Sequence, residues 1–210
     1  MIEQPNPRWL LPTELVVLAA CASAPLWWPL TVPIVLPLLI MASVSMAARR
    51  VSMSSSPAPG GVEATWIGAG CGALALIASV LLATPFLQYG LGLAVQWSAF
   101  PELRGSAAQA FAVAVLITAL TAAQELVFRR WVIERAFQLG ASGSGAITVA
   151  AVLEAVVGPG GLGARVGLAV GGFGLGLLYW RGGRRLGPAL AARLAFSLGA
   201  VALQALRLVG

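Results

Sequence analysis

Seven apolar stretches dominate the chain and constrain its fold more than any other feature. They are residues 12–28, 31–48, 64–84, 106–128, 144–158, 164–180 and 187–207. The hydrocarbon core of a membrane is about 30 Å thick and takes about 20 apolar residues of helix, so each stretch predicts one membrane span. We therefore predict an all-α fold, a bundle of about seven transmembrane helices.

The composition agrees with a membrane protein. Only 10% of the residues are charged and the mean hydropathy is +0.90, whereas soluble domains carry about 25% charged residues. The net charge of +6 could indicate nucleic-acid binding, but no basic run exceeds two residues. Basic residues spread between apolar segments are better explained by membrane orientation and anionic headgroups. We expect membrane lipids, and no nucleic acid, among the partners.

The chain divides into three parts by composition. We predict that residues 1–50 form an N-terminal membrane hairpin, that residues 51–63 are a Ser/Pro/Gly-rich linker, and that residues 64–210 form a helical membrane domain. Residues 85–101 fit either an extension of the third helix or an interfacial loop.

Arginine placement predicts the orientation, because cytoplasmic loops carry excess positive charge. With seven spans, three arginines fall opposite the N-terminus, namely Arg104, Arg165 and Arg207, and Arg193 lies within a span. The remaining nine share the side of the N-terminus: Arg8, Arg49, Arg50, Arg129, Arg130, Arg135, Arg181, Arg184 and Arg185. We therefore predict a cytoplasmic N-terminus.

Three residue types are absent, since the chain has no His, Lys or Asp. Their absence excludes Ser-His-Asp catalysis, His-ligated metal sites and lysine Schiff bases. We expect neither a cofactor nor a metal ion, and proton chemistry would depend mostly on the seven glutamates.

Ionisable residues inside a span are costly and are therefore functional candidates. Glu125 and Arg129 are four residues apart, so their side chains meet on a helix and predict an ion pair. The alternative to a functional pair is a structural salt bridge at the cytoplasmic end of the fourth span. Glu154 and Arg193 are each flanked by apolar residues. A Glu154–Arg193 pair between helices would satisfy both charges.

The other glutamates have structural interpretations. Glu14 and Glu63 are predicted at helix starts, where a carboxylate complements the helix dipole. Glu102 is predicted in a solvated loop, and Glu134 can pair with neighbouring arginines. The glycine-rich stretches 68–72 and 171–176 predict close approach between helix backbones.

Residues 124–130, QELVFRR, resemble the Glu-Glu-x-x-x-Arg motif of the CPBP family of CAAX-prenyl-protease-2-like proteins and bacteriocin-processing intramembrane glutamic endopeptidases. Residues 174–183 and 186–193, GLGLLYWRGG and LGPALAAR, look like the family's later Gly-Leu-x-x-Gly-x-x-Tyr-x-Arg run. The order of motifs places the family domain at residues 106–205. The resemblance implies an intramembrane protease in the cytoplasmic membrane of a bacterium.

The matching positions imply a changed catalytic set. Gln124 replaces the family's first glutamate, whereas Glu125 and Arg129 are retained. Glu154 falls where the family has its first histidine. Arg193 and Ser197 occupy the positions of a later His-x-x-x-Asn motif.

Three functions remain open from these residues. In the first, Glu125 or Glu154 is the base of an endopeptidase acting on a membrane-anchored, C-terminal or leader peptide, and Arg129 or Arg193 stabilises the oxyanion. In the second, the protein is an inactive pseudoprotease that binds a membrane peptide or partner protein. A small transporter or channel subunit is the third, although the chain shows no internal repeat.

Overall fold

The computed structural model of the chain describes residues 10–27, 35–48, 61–92, 107–158 and 161–206. This part of the chain is all-helical and contains no strand, which confirms the predicted class. The helices are α1 Leu10–Trp27, α2 Val35–Ala48, α3 Gly61–Gly90, α4 Ala107–Gln138, α5 Gly143–Val157, α6 Leu162–Arg181 and α7 Leu186–Ala205. Outside the described residues lie 51–60 of the predicted linker, Glu102, and the arginines at 8, 49, 50, 104 and 207.

Four helices, α3, α4, α6 and α7, are long and apolar enough to cross a membrane. The apolar stretches of α1, α2 and α5 are shorter. Large apolar side chains point outward from the long helices, including Trp66, Leu81, Phe111 and Val170. Such surfaces are expected of helices that face lipid, because hydrocarbon imposes no penalty on apolar exposure.

Two helices contain π-helical turns, in which the hydrogen bonds run from i to i+5. In α3 these are Ser79–Ala83 and Phe86–Gly90, so the helix continues through the first part of the ambiguous stretch 85–101. In α4 the segment Leu126–Ile133 is π-helical, and an α-helical turn, Glu134–Gln138, follows it. The predicted end of the fourth helix at residue 128 is therefore wrong, because the helix continues past three arginines.

The first of two compact units comprises Met1–Pro59 and Ala123–Leu186. In it, α1 packs against α2 and α5, and the π-helical segment of α4 contacts α2 and α5. Helices α5 and α6 run antiparallel in close contact. A Cβ on Gly176 would lie 2.6 Å from Cγ2 of Ile147, and one on Gly172 would lie 3.3 Å from Cα of Ala151.

The second unit comprises Gly60–Ala122 and Gly187–Gly210. Here α3 and α7 run parallel with their backbones in contact. A Cβ on Gly68 would lie 2.2 Å from the carbonyl oxygen of Pro188, and one on Gly72 would lie 1.9 Å from that of Ala192. The predicted role of the glycines is confirmed at these positions, whereas Gly70 has no neighbour within 4 Å that a Cβ would meet.

Candidate functional site

Arg129 is the centre of a buried polar cluster in the first unit. Its Nη2 donates a hydrogen bond of 2.7 Å to Oε2 of Glu154. Its Nε lies 3.4 Å from Oε2 of Glu125, so the predicted ion pair is present. The exposed fractions of Glu125, Arg129 and Glu154 are 1%, 0% and 3%, which makes this a fully desolvated arrangement of three ionisable side chains.

Arg129 lies in the π-helical segment of α4. The α-helical part of α4 ends at Glu125, and the π-helical segment begins at the next residue. Phe128 and Val127 are buried together with Arg129, so successive side chains of the widened turn all face protein. Short π-helical segments occur frequently at functional sites, since they redirect side chains that a regular helix would place elsewhere.

Gly172 of α6 provides the space for the Glu154 carboxylate. A Cβ at this position would lie 2.9 Å from Oε2 of Glu154, the oxygen that accepts from Arg129. Glu154 lies on the buried face of α5 with Ala151 and Ala155. The glycine-rich face of α6 therefore does more than bring two helices together, because it also leaves room for a charged group between them.

Two nitrogens of the central guanidinium, Nε and Nη1 of Arg129, are buried and have no hydrogen-bond partner within the part of the chain that the structure describes. Nε faces Oε2 of Glu125 at 3.4 Å, whereas Nη1 has no ion-pair contact of this kind among the described residues. A buried donor without an acceptor costs about 1–3 kcal/mol, and more when the group is charged. Nη1 is therefore the atom of the cluster best placed to donate to an oxygen of a bound molecule.

The remaining predicted site residues are distributed over both units. Gln124 is half-buried and directly precedes Glu125 in α4. Arg193 and Ser197 are half-buried residues of α7, in the second unit. The Glu154–Arg193 pair stays a prediction, and the guanidinium bonded to Glu154 in the first unit is that of Arg129.

A second buried polar cluster was not predicted. Glu14 of α1 accepts through Oε2 from Nε of Arg135 at 2.6 Å. Its Oε1 accepts from the hydroxyl of Ser45 in α2 and, at 3.3 Å, from Nε1 of Trp131. The same Trp131 nitrogen lies 3.1 Å from Oγ of Ser45. Four side chains thus connect α1 and α2 to the far end of the π-helical segment.

The interpretation of Glu14 as a helix-start residue is wrong. Helix α1 begins at Leu10 and has no acidic residue in its first turn, whereas Glu63 does lie in the first turn of α3. Glu14 is only 2% exposed. A charged residue flanked by apolar residues was the signal that singled out Glu154, and the same signal would have identified Glu14 if the helix start had been placed at Leu10.

Glu134 pairs with an arginine, as predicted, but with one on another helix end. Its Oε1 accepts from Nε of Arg184 at 2.8 Å and from the Tyr179 hydroxyl at 2.6 Å. Its Oε2 forms an ion pair with Nη2 of Arg184. The end of α4 and the end of α6 therefore lie together at one end of the first unit.

The chemistry of the Arg129 cluster is restricted by its pairing. Both carboxylates face a guanidinium that cannot lose its proton, and an oxygen that already accepts from Arg129 is less available to abstract a proton from water. Gln124, which precedes Glu125, carries an amide and cannot act as a base. The fixed guanidinium, by contrast, is suited to donating a hydrogen bond to a carbonyl or to stabilising an oxyanion.

Comparison of the chain with protein-family models, curated proteins and solved structures gives no match.

Proposed function

We propose that the chain is a CPBP-type integral membrane protein that binds a membrane-anchored peptide or partner protein through the Arg129 cluster without cleaving it. The observation that carries the proposal is the fully buried Nη1 of Arg129, which has no hydrogen-bond partner among the described residues and lies beside two paired carboxylates. A peptide carbonyl inserted at this point would satisfy the donor, and lipid tails, which carry no acceptor, would not.

Endopeptidase activity is the second candidate function. The observation that favours it is the convergence of two carboxylates and one guanidinium, with 3.4 Å and 2.7 Å separating the paired atoms. In such a mechanism one carboxylate is the general base, the other is the general acid, and the guanidinium donates to the oxyanion. We rank it second because Arg129 engages both carboxylates and because Gln124 cannot serve as a base.

The proposed membrane arrangement has seven spans with the N-terminus in the cytoplasm of a bacterium. Its support is the arginine distribution and the shared end of α4 and α6, since α5 would then cross between them. Helix α5 has 15 residues, about 22 Å at 1.5 Å per residue. It is therefore short for a membrane core of about 30 Å, and local thinning of the bilayer would accommodate it.

Binding and cleavage are separated by one experiment on the purified protein in detergent micelles. The probe is a set of apolar peptides of about 20 residues, each with a fluorophore at one end and a quencher at the other. We expect binding with the fluorophore still quenched, and about tenfold weaker binding to Arg129→Lys, because an ammonium has three donors instead of five and lacks the planar fork of the guanidinium. Fluorescence and mass spectrometry give affinity and cleavage together.

The matched control is Arg184→Lys, which makes the same chemical change at a partly exposed ion pair and should bind like the wild type. Cleavage that is present in the wild type and in Arg184→Lys, and lost in a Glu125→Gln or Glu154→Gln variant that circular dichroism shows to be folded, would establish the endopeptidase instead. Equal affinity of wild type and Arg129→Lys would remove Arg129 from the binding site.

A further inference from the structure

A short basic turn joins two of the candidate membrane spans. Helix α6 ends at Arg181 and α7 begins at Leu186, and residues 181–185 carry three arginines and no acidic residue. Because the helices on both sides are long and apolar enough to cross a membrane, a turn this short must lie at the membrane surface. Its arginines are therefore held at the depth of the lipid headgroups.

The backbone of this basic turn, residues 181–185, is fixed by hydrogen bonds. The amide of Gly183 donates to the carbonyl of Trp180 at 3.2 Å, and that of Arg184 donates to the carbonyl of Tyr179 at 2.9 Å. This pair of bonds, with Gly183 at a φ of 73°, forms a Schellman motif. Arg184 itself has a φ of 61°, a strained value for a residue with a side chain.

Side-chain contacts explain why Arg184 is kept at a strained position. Phe137 from the end of α4 stacks on Trp180 with 4.7 Å between ring centroids. The guanidinium of Arg184 lies 5.2 Å from the centroid of Phe137 and 6.0 Å from that of Trp180. Glu134 holds the same guanidinium through an ion pair. Backbone strain of this kind persists where the surroundings determine the conformation, and it marks candidate functional positions.

The other two arginines of the turn differ in exposure, since Arg181 is exposed and Arg185 is half-buried. Trp180, beside Arg181, keeps 38% of its surface exposed. Tryptophan at a membrane interface sits at headgroup level, and arginine presents a planar fork that matches the oxygens of a phosphate. The turn thus combines an interfacial aromatic with cations whose backbone is already ordered.

We propose that the basic turn binds the phosphodiester group of an anionic phospholipid, with Arg181 and Arg185 as the contacting cations and Arg184 as the residue that fixes the turn. A basic residue near an anionic membrane surface strengthens lipid binding about fivefold, and two together about 25-fold. This inference does not depend on the function of the Arg129 cluster.

The test measures lipids retained by the purified full chain in native mass spectrometry. Phosphatidylglycerol and phosphatidylcholine are added in equal amounts, so that the first tests an anionic lipid and the second a zwitterionic one. We expect preferential retention of phosphatidylglycerol by the wild type and about a 25-fold loss in the double variant Arg181→Gln and Arg185→Gln.

Arg165→Gln is the matched control, because it removes one arginine from the opposite end of the same helix. Equal retention of the two lipids by the wild type would overturn the proposal, as would an equal loss in Arg165→Gln and the double variant. Displacement of phosphatidylglycerol by an equimolar amount of inorganic phosphate would show a soluble-anion site in place of a lipid site.

Discussion

Arg129 illustrates what a single buried charge requires of its surroundings. A guanidinium removed completely from water loses several kcal/mol of hydration energy, which only close, well-oriented carboxylates can offset. Glu154 provides the shorter contact, at 2.7 Å, and Glu125 the longer, at 3.4 Å. Arginine keeps its proton under these conditions, so the stability of this region depends on the carboxylates.

Removing one carboxylate charge should therefore destabilise the protein strongly. We expect Glu154→Gln to lower the free energy of unfolding by about 3–5 kcal/mol, because it leaves a buried cation with one partner fewer. Denaturant unfolding in micelles, followed by circular dichroism, measures the loss. Glu63→Gln, at an exposed position of the first turn of α3, is the control and should lose much less. Equal losses would mean that the Arg129–Glu154 pair contributes nothing to folding.

The positions of the glycines on α3 determine which face of this helix packs against α7. Gly68 and Gly72 are one turn apart on α3 and both meet backbone oxygens of α7, so at these two positions the main chains of the helices are in contact. Approach this close favours weak Cα–H···O bonds and dispersion, which replace the hydrophobic effect inside lipid. Gly70, two residues from each, lies on another face of the same helix.

A methyl group at Gly72 should separate the two helices. Its Cβ would lie 1.9 Å from the carbonyl oxygen of Ala192, and a backbone atom cannot move aside alone. We expect Gly72→Ala to cost about 1–3 kcal/mol, as overpacking does elsewhere. Gly70→Ala adds the same methyl group where a Cβ meets nothing within 4 Å, so it should be neutral or slightly stabilising. Thermal unfolding of both variants in micelles compares them directly.

The sequence predicted the helices well and the long-range ion pairs poorly, for a physical reason. Apolar stretches are local, and so is the Glu125–Arg129 pair, whose spacing follows from helix geometry. Arg129 and Glu154 are 25 residues apart, and Glu14 and Arg135 are 121 apart, so only the packing of helices shows that they meet. Without these partners, Arg129 and Arg135 resemble loop charges, which is why the fourth helix was predicted to end too early.

The shared end of α4 and α6 predicts at which end of the first unit each turn lies. Helix α5 begins beside Trp180, since a Cβ on Gly143 would lie 3.3 Å from its Cζ2. Helices α5 and α6 then run antiparallel, so the turn between them belongs at the other end of the first unit. The proposed orientation places the α4–α5 turn and the basic turn in the cytoplasm.

Cysteine labelling in cells tests this arrangement. After Cys21 and Cys71 are replaced by alanine, single cysteines are introduced at Leu139, Arg181 and Gly161. We expect a membrane-impermeant maleimide to label Gly161→Cys in intact cells and to label Leu139→Cys and Arg181→Cys only in inverted vesicles, because the cytoplasmic face is then accessible. Labelling of all three from one side would exclude a membrane-crossing α5.

The π-helical segment of α4 limits the insertions and deletions that this part of the chain can accept. Arg129 is anchored to Glu154 near its beginning, and Arg135 is anchored to Glu14 just beyond its end. An added or deleted residue between them would rotate one anchor away from its carboxylate while the other stayed in place. The length of this stretch is therefore constrained by its two anchors, and an insertion that a surface turn accepts should break one of them.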